Sequence, residues 1–234
     1  MTLLIGVPSK GRLMEQTFDW FGARGVTMRR AGGDREYAGA VDGVDDLRLV
    51  LLSPSEIPRE LAAGRIHLGV TGSDLVREKL ADWHVRVTEV AAMGFGHADL
   101  ILAVPAAWVD VDTLDDLDAV AAAFRARHGF RLRIATKYHR LVREYLRAHG
   151  VADYQLVDSQ GATEGTVVNQ TAEAVADITS TGETLRANHL KVLEAPVIHA
   201  SQATLFAAHG ADWADARAPL DALMARLGLA VPVV

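Results

Sequence analysis

The chain has 234 residues, 50% of them hydrophobic, a formal net charge of −6 and no cysteine. Length and apolar content suffice for a full core, in one large domain or two small ones, and exclude a disordered chain; the acidic balance argues against general binding to nucleic acid or a membrane surface. Disulfide frameworks, thiolate nucleophiles and cysteine-based zinc sites are excluded outright, and the nine histidines contain no H-x-x-x-H pair that would set two ligands on one helix face.

In chain order, a short apolar run, a polar turn and an amphipathic helix recur, which predicts an α/β fold with mainly parallel sheets. A strand over residues 2–7 leads through P-S-K-G-R into a helix with Leu13, Phe18 and Phe21 on one side, ending before Gly22 and Gly25. The immediate arrival of Pro8, Lys10 and Gly11 is unlike a signal peptide, and no apolar run is long enough to span a bilayer, so a cytoplasmic protein is expected. A second strand over 47–52 is followed by S-P-S-E and a short helix to Gly64, with Pro58 in the first turn, where its missing N–H is not needed. A third, over 66–71, ends in G-S-D and the helix L-V-R-E-K-L.

Beyond M-G-F-G-H at 93–97, whose two glycines make it the best domain boundary, strands are predicted over 98–104, 132–136, 154–157 and 175–179. Thr113 and Asp116 have the spacing of a capping box at the start of a helix running to Gly129. Another helix turns Leu141, Val142, Tyr145 and Leu146 inward and closes at Gly150. Residues 197–206 read as strand and strand edge, and Leu220, Leu223, Met224 and Leu227 form the apolar stripe of a last helix.

Chemistry concentrates at strand-to-helix turns, where open α/β sheets bind ligands. The stretch D-I-T-S-T-G-E-T-L, residues 177–185, has two readings. S-T-G-E at 180–183 fits a capping box. Alternatively Ser180, Thr181 and Thr184 donate to a phosphate that Gly182 lets approach closely, beside Glu183, while Asp177 accepts from a vicinal diol, together describing a phosphorylated ribose. Lys10 and Arg12 read either as a solvated basic turn or as an anion site, since they stand at the positive end of the first helix, unfavourable by about 0.3–1 kcal/mol per charge without an anion. Lys137, with Arg140 nearby, repeats the pattern. Gly72, Ser73 and Asp74 read either as an Asp N-cap or as a further cleft turn, and Glu164 either caps the next helix or faces the cleft. His67 and His139 read as structural or surface residues.

In K-G-R-L, H-L-G-V-T-G-S-D-L, M-G-F-G, A-T-K-Y and D-I-T-S-T-G-E-T-L, taken in order and spacing over nearly the whole length, the chain resembles the short form of the ATP phosphoribosyltransferase family, which opens histidine biosynthesis. The resemblance implies a two-lobed α/β fold like the type II periplasmic binding proteins with a cleft between lobes: residues 1–95 plus 184–234 as a discontinuous lobe I, and 96–183 as lobe II. It implies that Asp177 takes the ribose hydroxyls of phosphoribosyl pyrophosphate, that Ser180, Thr181, Gly182, Glu183 and Thr184 hold its 5-phosphate, and that Lys10, Arg12 and Lys137 serve catalysis at the pyrophosphate or the nucleotide. Gly72, Ser73, Asp74 and Glu164 are the expected ATP or cleft residues, and Mg2+ is expected to arrive on the phosphorylated substrates, not on dedicated protein ligands. One departure is E-G-T-V-V-N-Q at 164–170, where many relatives carry an Ala-Pro pair. With too few residues after Gly182 for the long form's regulatory domain, a histidyl-tRNA-synthetase-like regulatory subunit is expected as partner, in a hetero-octamer. The rival expectations are a cytoplasmic small-anion-binding protein without turnover, and a phosphoribosyltransferase acting on another base.

Overall fold

The computed structural model describes residues 2–30, 38–159 and 161–234. In chain order the elements are β1 (Leu3–Pro8), α1 (Gly11–Gly22), β2 (Thr27–Arg30), β3 (Ala38–Asp42), β4 (Leu47–Leu52), α2 (Ile57–Ala62), β5 (Leu68–Gly72), α3 (Ser73–Lys79), α4 (Trp83–Arg86) and β6 (Val87–Ala92). There follow β7 (Ala98–Pro105), α5 (Leu114–His128), β8 (Leu132–Thr136), α6 (His139–Ala148), β9 (Tyr154–Asp158), α7 (Gly165–Val168), β10 (Ala174–Thr179), α8 (Glu183–Ala187), β11 (Leu190–Val192) and β12 (His199–Ser201), then β13 (Ala203–Ala208) and α9 (Arg217–Leu227). They form two units, Met1–His97 with Gln202–Val234, and Ala98–Ser201. None of the described helices is long and apolar enough to cross a membrane.

The first unit is built on a seven-stranded sheet of order β2-β3-β4-β1-β5-β13-β6. Its centre is parallel, β4-β1-β5. β4 shows why a strand forms there: Leu47, Leu49 and Leu51 are buried while Arg48 is exposed, the period-two alternation of a pleated strand. On one face, Phe21 of α1 and the predicted stripe of α9, Leu220, Leu223, Met224 and Leu227, join Leu3, Ile5, Leu68 and Leu205 in a single cluster. His67 is structural, as expected. Its Nδ1 accepts from the Leu4 N–H at 3.0 Å, which puts the ring proton on Nε2, 2.9 Å from the Asp212 carbonyl. The strands β2, β3 and β6 were not legible in the sequence. β2 buries only Met28 of its four residues, so it has no pattern to read.

The second unit holds a six-stranded sheet of order β11-β7-β10-β8-β9, with β12 also paired to β7. β10, β8 and β9 run parallel, but β7 is antiparallel to β10, β11 and β12, and in the first unit β13 is antiparallel to both neighbours. Both sheets are therefore mixed, not mainly parallel. An apolar run of a given length is compatible with either direction, because direction is set by how the connection returns to the sheet.

The expected division is also corrected. The chain leaves the first unit after His97, close to the expected 95/96 boundary, but returns at Gln202, not at 184. The intervening α8, β11 and β12 belong to the second unit because β11 and β12 add to β7, with Leu190 opposite Pro105 and His199 opposite Leu100. The run 197–206 that reads as strand and strand edge is thus cut at Gln202 into strands of different sheets.

Candidate active site

In the second unit, the hydroxyl-rich loop follows β10. The S-T-G-E capping box does not form: α8 starts at Glu183, with Gly182 as its N-cap residue and no side-chain cap. Gly182 lies at φ +70°, a left-handed conformation that glycine alone adopts without strain, so helical geometry begins only after it and Ser180 stands too early to cap. The turn is held from other positions. Thr179 Oγ1 accepts the Gly182 N–H at 2.9 Å, Thr181 Oγ1 accepts the Glu183 N–H at 3.3 Å, and Arg186 Nη2 donates to the Thr181 carbonyl at 3.0 Å. Leu185, only 6% exposed, pins the first turn of α8 into a cluster with Ile101, Val175 and Leu190.

The loop borders a polar recess of about 320 Å³ lined by Glu164, Asp177, Ser180, Thr181, Glu183 and Thr184. Glu164 therefore faces the recess; it sits at the start of α7 and makes no side-chain cap there. Asp177 is held at one oxygen only, where Oδ1 accepts the Ile178 N–H at 2.8 Å and lies 3.5 Å from Lys137 Nζ. Its Oδ2 accepts no hydrogen bond among the described residues, and the carboxylate is mostly buried beside a lysine that is one-third exposed. A fixed carboxylate with one open oxygen, next to three hydroxyl side chains, suits a polyhydroxylated phosphate ester. Arg140 does not extend the basic turn in the expected way, since its Nη1 pairs along α6 with Glu144 at 2.8 Å.

In the first unit, Lys10 and Arg12 follow β1, while Gly72, Ser73 and Asp74 follow β5, the adjacent parallel strand. Both turns therefore stand at the carboxyl edge of the sheet. Lys10 is the extended N-cap residue of α1, Gly11 follows at φ +73°, and neither cation has an ion pair or side-chain hydrogen bond among the described residues. Two uncompensated cations at the start of a twelve-residue helix leave its end suited to an anion. The Asp N-cap reading of G-S-D is overturned: Gly72 is the N-cap residue, and Ser73 and Asp74 are buried inside the first turn of α3.

Sequence reasoning missed Thr179, Leu185 and Arg186. Thr179 was readable in principle, since a threonine hydroxyl can close a local turn through a nearby backbone N–H. Arg186 and Leu185 had no local signal, because their roles depend on contacts that the folded loop creates.

The family model described as HisG, ATP phosphoribosyltransferase, matches residues 53–228. Over 232 residues the chain is 78% identical to an ATP phosphoribosyltransferase of Cereibacter sphaeroides, covering 99% of this chain and 98% of the relative. Among solved structures, the ATP phosphoribosyl transferase (HisG:HisZ) complex from Thermotoga maritima is similar at a TM-score of 0.73 and 20% identity, over 97% of each chain. The substrate binding protein of an amino acid ABC transporter is similar at 0.50 and 13% identity, over 97% of this chain and 92% of that one. At these identities the two structures speak for the fold alone, the α/β arrangement of the type II periplasmic binding proteins. Family match and sequence identity, by contrast, both run over most of the chain and agree with the loop geometry: the chain belongs to the ATP phosphoribosyltransferase family.

Proposed function

We propose that the chain transfers the 5-phosphoribosyl group of phosphoribosyl pyrophosphate to N1 of the adenine of ATP, the first step of histidine biosynthesis, in the cytoplasm. The adenine N1 lone pair forms the new bond to the anomeric carbon as the bond from that carbon to the pyrophosphate oxygen breaks, and its electron pair leaves with pyrophosphate. No covalent enzyme intermediate is needed, so the work of the protein is alignment and charge stabilisation.

The observation that carries this reading is the recess after β10, where the open oxygen of Asp177 stands beside the hydroxyls of Ser180, Thr181 and Thr184. Asp177 accepts from the ribose hydroxyls, the loop holds the 5-phosphate, and Lys137, 3.5 Å from Oδ1, orients the Asp177 carboxylate. Lys10 and Arg12 stabilise phosphate oxygens of the leaving group or of ATP. Magnesium would arrive bound to the substrates' phosphates and neutralise part of their charge; the Glu164 carboxylate in the recess is an oxygen donor of the kind such a hard cation takes, without forming a dedicated site.

The Thermotoga maritima relative is a complex of HisG with HisZ. By analogy this chain works with a histidyl-tRNA-synthetase-like regulatory subunit, in a hetero-octamer. The test is an absorbance assay for the N1-substituted adenine product, with and without that subunit. Product formation is the expected result. Substrate binding without product under either condition overturns transfer in favour of a small-anion-binding protein, and product with another base but none with ATP replaces the acceptor.

A further inference from the structure

The second unit carries another cationic recess, unrelated to the loop after β10. It measures about 610 Å³, within the range of small-molecule sites, and Arg131, Arg143, Arg147, Tyr154 and Gln155 line it together with Leu156. β8, β9 and β10 are parallel. The loop site follows their carboxyl ends, whereas Arg131 precedes β8 and Tyr154 opens β9, so the recess lies at the opposite edge of the same sheet. A five-residue strand separates the two edges by roughly 15 Å.

The charge at this recess is uncompensated. Arg131, Arg143 and Arg147 have no ion pair or side-chain hydrogen bond among the described residues. The other arginines of the neighbourhood do: Arg125 with Asp153, Arg133 with Glu173 and Arg140 with Glu144. Those pairs also occupy Asp153 and Glu144, the acidic groups nearest in sequence to the cluster. Arg143 and Arg147 are four residues apart on α6, where like charges repel. Arg147 gains from its place in the last helical turn; Arg131 and Arg143 lie outside that turn, and all three guanidinium groups are exposed and open to an incoming anion.

Guanidinium groups are planar forks that match phosphate oxygens in pairs, and the half-buried ring of Tyr154, with Leu156, adds an apolar wall. We propose that this recess is a second anion site, taking a small molecule that bears a polyphosphate group. The proposal does not rest on phosphoribosyl transfer.

The experiment follows backbone amide NMR signals of the full chain during titration with inorganic pyrophosphate and, separately, with ADP. The two probes distinguish a bare polyphosphate from a nucleotide as the source of the group. Saturable shifts at residues 150–156 with either probe are expected, on a curve separate from that of residues 177–184. In the Arg131→Ala, Arg143→Ala, Arg147→Ala triple variant the affinity read at residues 150–156 falls at least about tenfold, the loss of one charge-assisted contact or more, while the 177–184 curve is retained and reports that the unit is folded. No saturation with either probe, an equal response to sulfate at matched ionic strength, or unchanged affinity in the triple variant overturns the site. Binding of a poly-glutamate peptide where neither phosphate binds also overturns it, giving the surface to an acidic protein segment instead.

Discussion

Asp177 has one oxygen engaged and one open. Oδ1 is tied to the Ile178 N–H and faces Lys137, while Oδ2 stays open toward the recess. Asp177→Asn is therefore expected to lower kcat/KM for phosphoribosyl pyrophosphate about 10–100-fold, the size of a hydrogen bond to a charged group, and steady-state kinetics at saturating ATP read it. Lys137→Ala is expected to lower the same parameter while costing less than about 1 kcal/mol of stability, because the pair is partly solvated. Wild-type kinetics in both variants would remove the ribose from this loop. Lys10→Ala and Arg12→Ala should weaken inhibition by pyrophosphate, and urea unfolding should show no loss of stability, with a gain of up to about 1 kcal/mol from relief at the start of α1. These residues stood out as candidates in the sequence because their chemistry is local to a turn. Of the two readings of Asp74, the cap fails because the residue is buried inside the first turn of α3, and burial is not local.

At the scale of elements, the two helix starts with capping-type spacing behave oppositely. Thr113 and Asp116 form the full reciprocal box on α5. Thr113→Ala is expected to cost about 1 kcal/mol in urea unfolding. The Thr113 hydroxyl, then the Thr113 and Asp112 backbone N–H groups, hold the Asp116 carboxyl below the ordinary aspartate range. A depressed carboxylate pKa contributes stability above the unfolded value that is lost as pH falls through the folded one. Asp116 should thus titrate at a higher pH in the Thr113→Ala variant, as side-chain NMR would show. At α8 the same spacing fails because Gly182 turns left-handed, and the five-residue helix depends on its anchor instead. Leu185→Ala, which vacates a buried site among Ile101 and Val175, is expected to cost about 2–5 kcal/mol. The KM for phosphoribosyl pyrophosphate should rise more than kcat falls. An unchanged KM would mean that the loop holds its shape without the helix.

For the whole molecule, each unit is held by burial that joins segments remote in sequence. The α9 stripe packs on strands from the start of the chain, with Leu223 at 0% exposure beside Leu3, Ile5 and Leu205 in one cluster. Leu223→Ala should destabilise the first unit by about 2–5 kcal/mol, and hydrogen exchange should quicken in α9 and in β1 and β5 together. Quickening confined to α9 would show that the helix merely frays. The helix itself is read from its own periodicity, yet its destination is not, and the same holds for the residues on either side of Gln202. Val197 to Phe206 carries one apolar pattern, while its halves pair with different sheets.

What the sequence determined by itself, then, is whatever depends on neighbours a few residues away. The α/β alternation, the Thr113 cap, the stripe of α9 and the ordered phosphate-type turns that mark the family all follow from side-chain period and turn chemistry. Tertiary structure decided what depends on which segments meet. Strand direction in mixed sheets, the return of the chain at Gln202, the side of Glu164 that faces the recess and the pinning of the loop by Leu185 are set by long-range burial and pairing. The physical reason is that an apolar residue has no preferred partner until the fold supplies one, since burial stabilises by area and carries no direction.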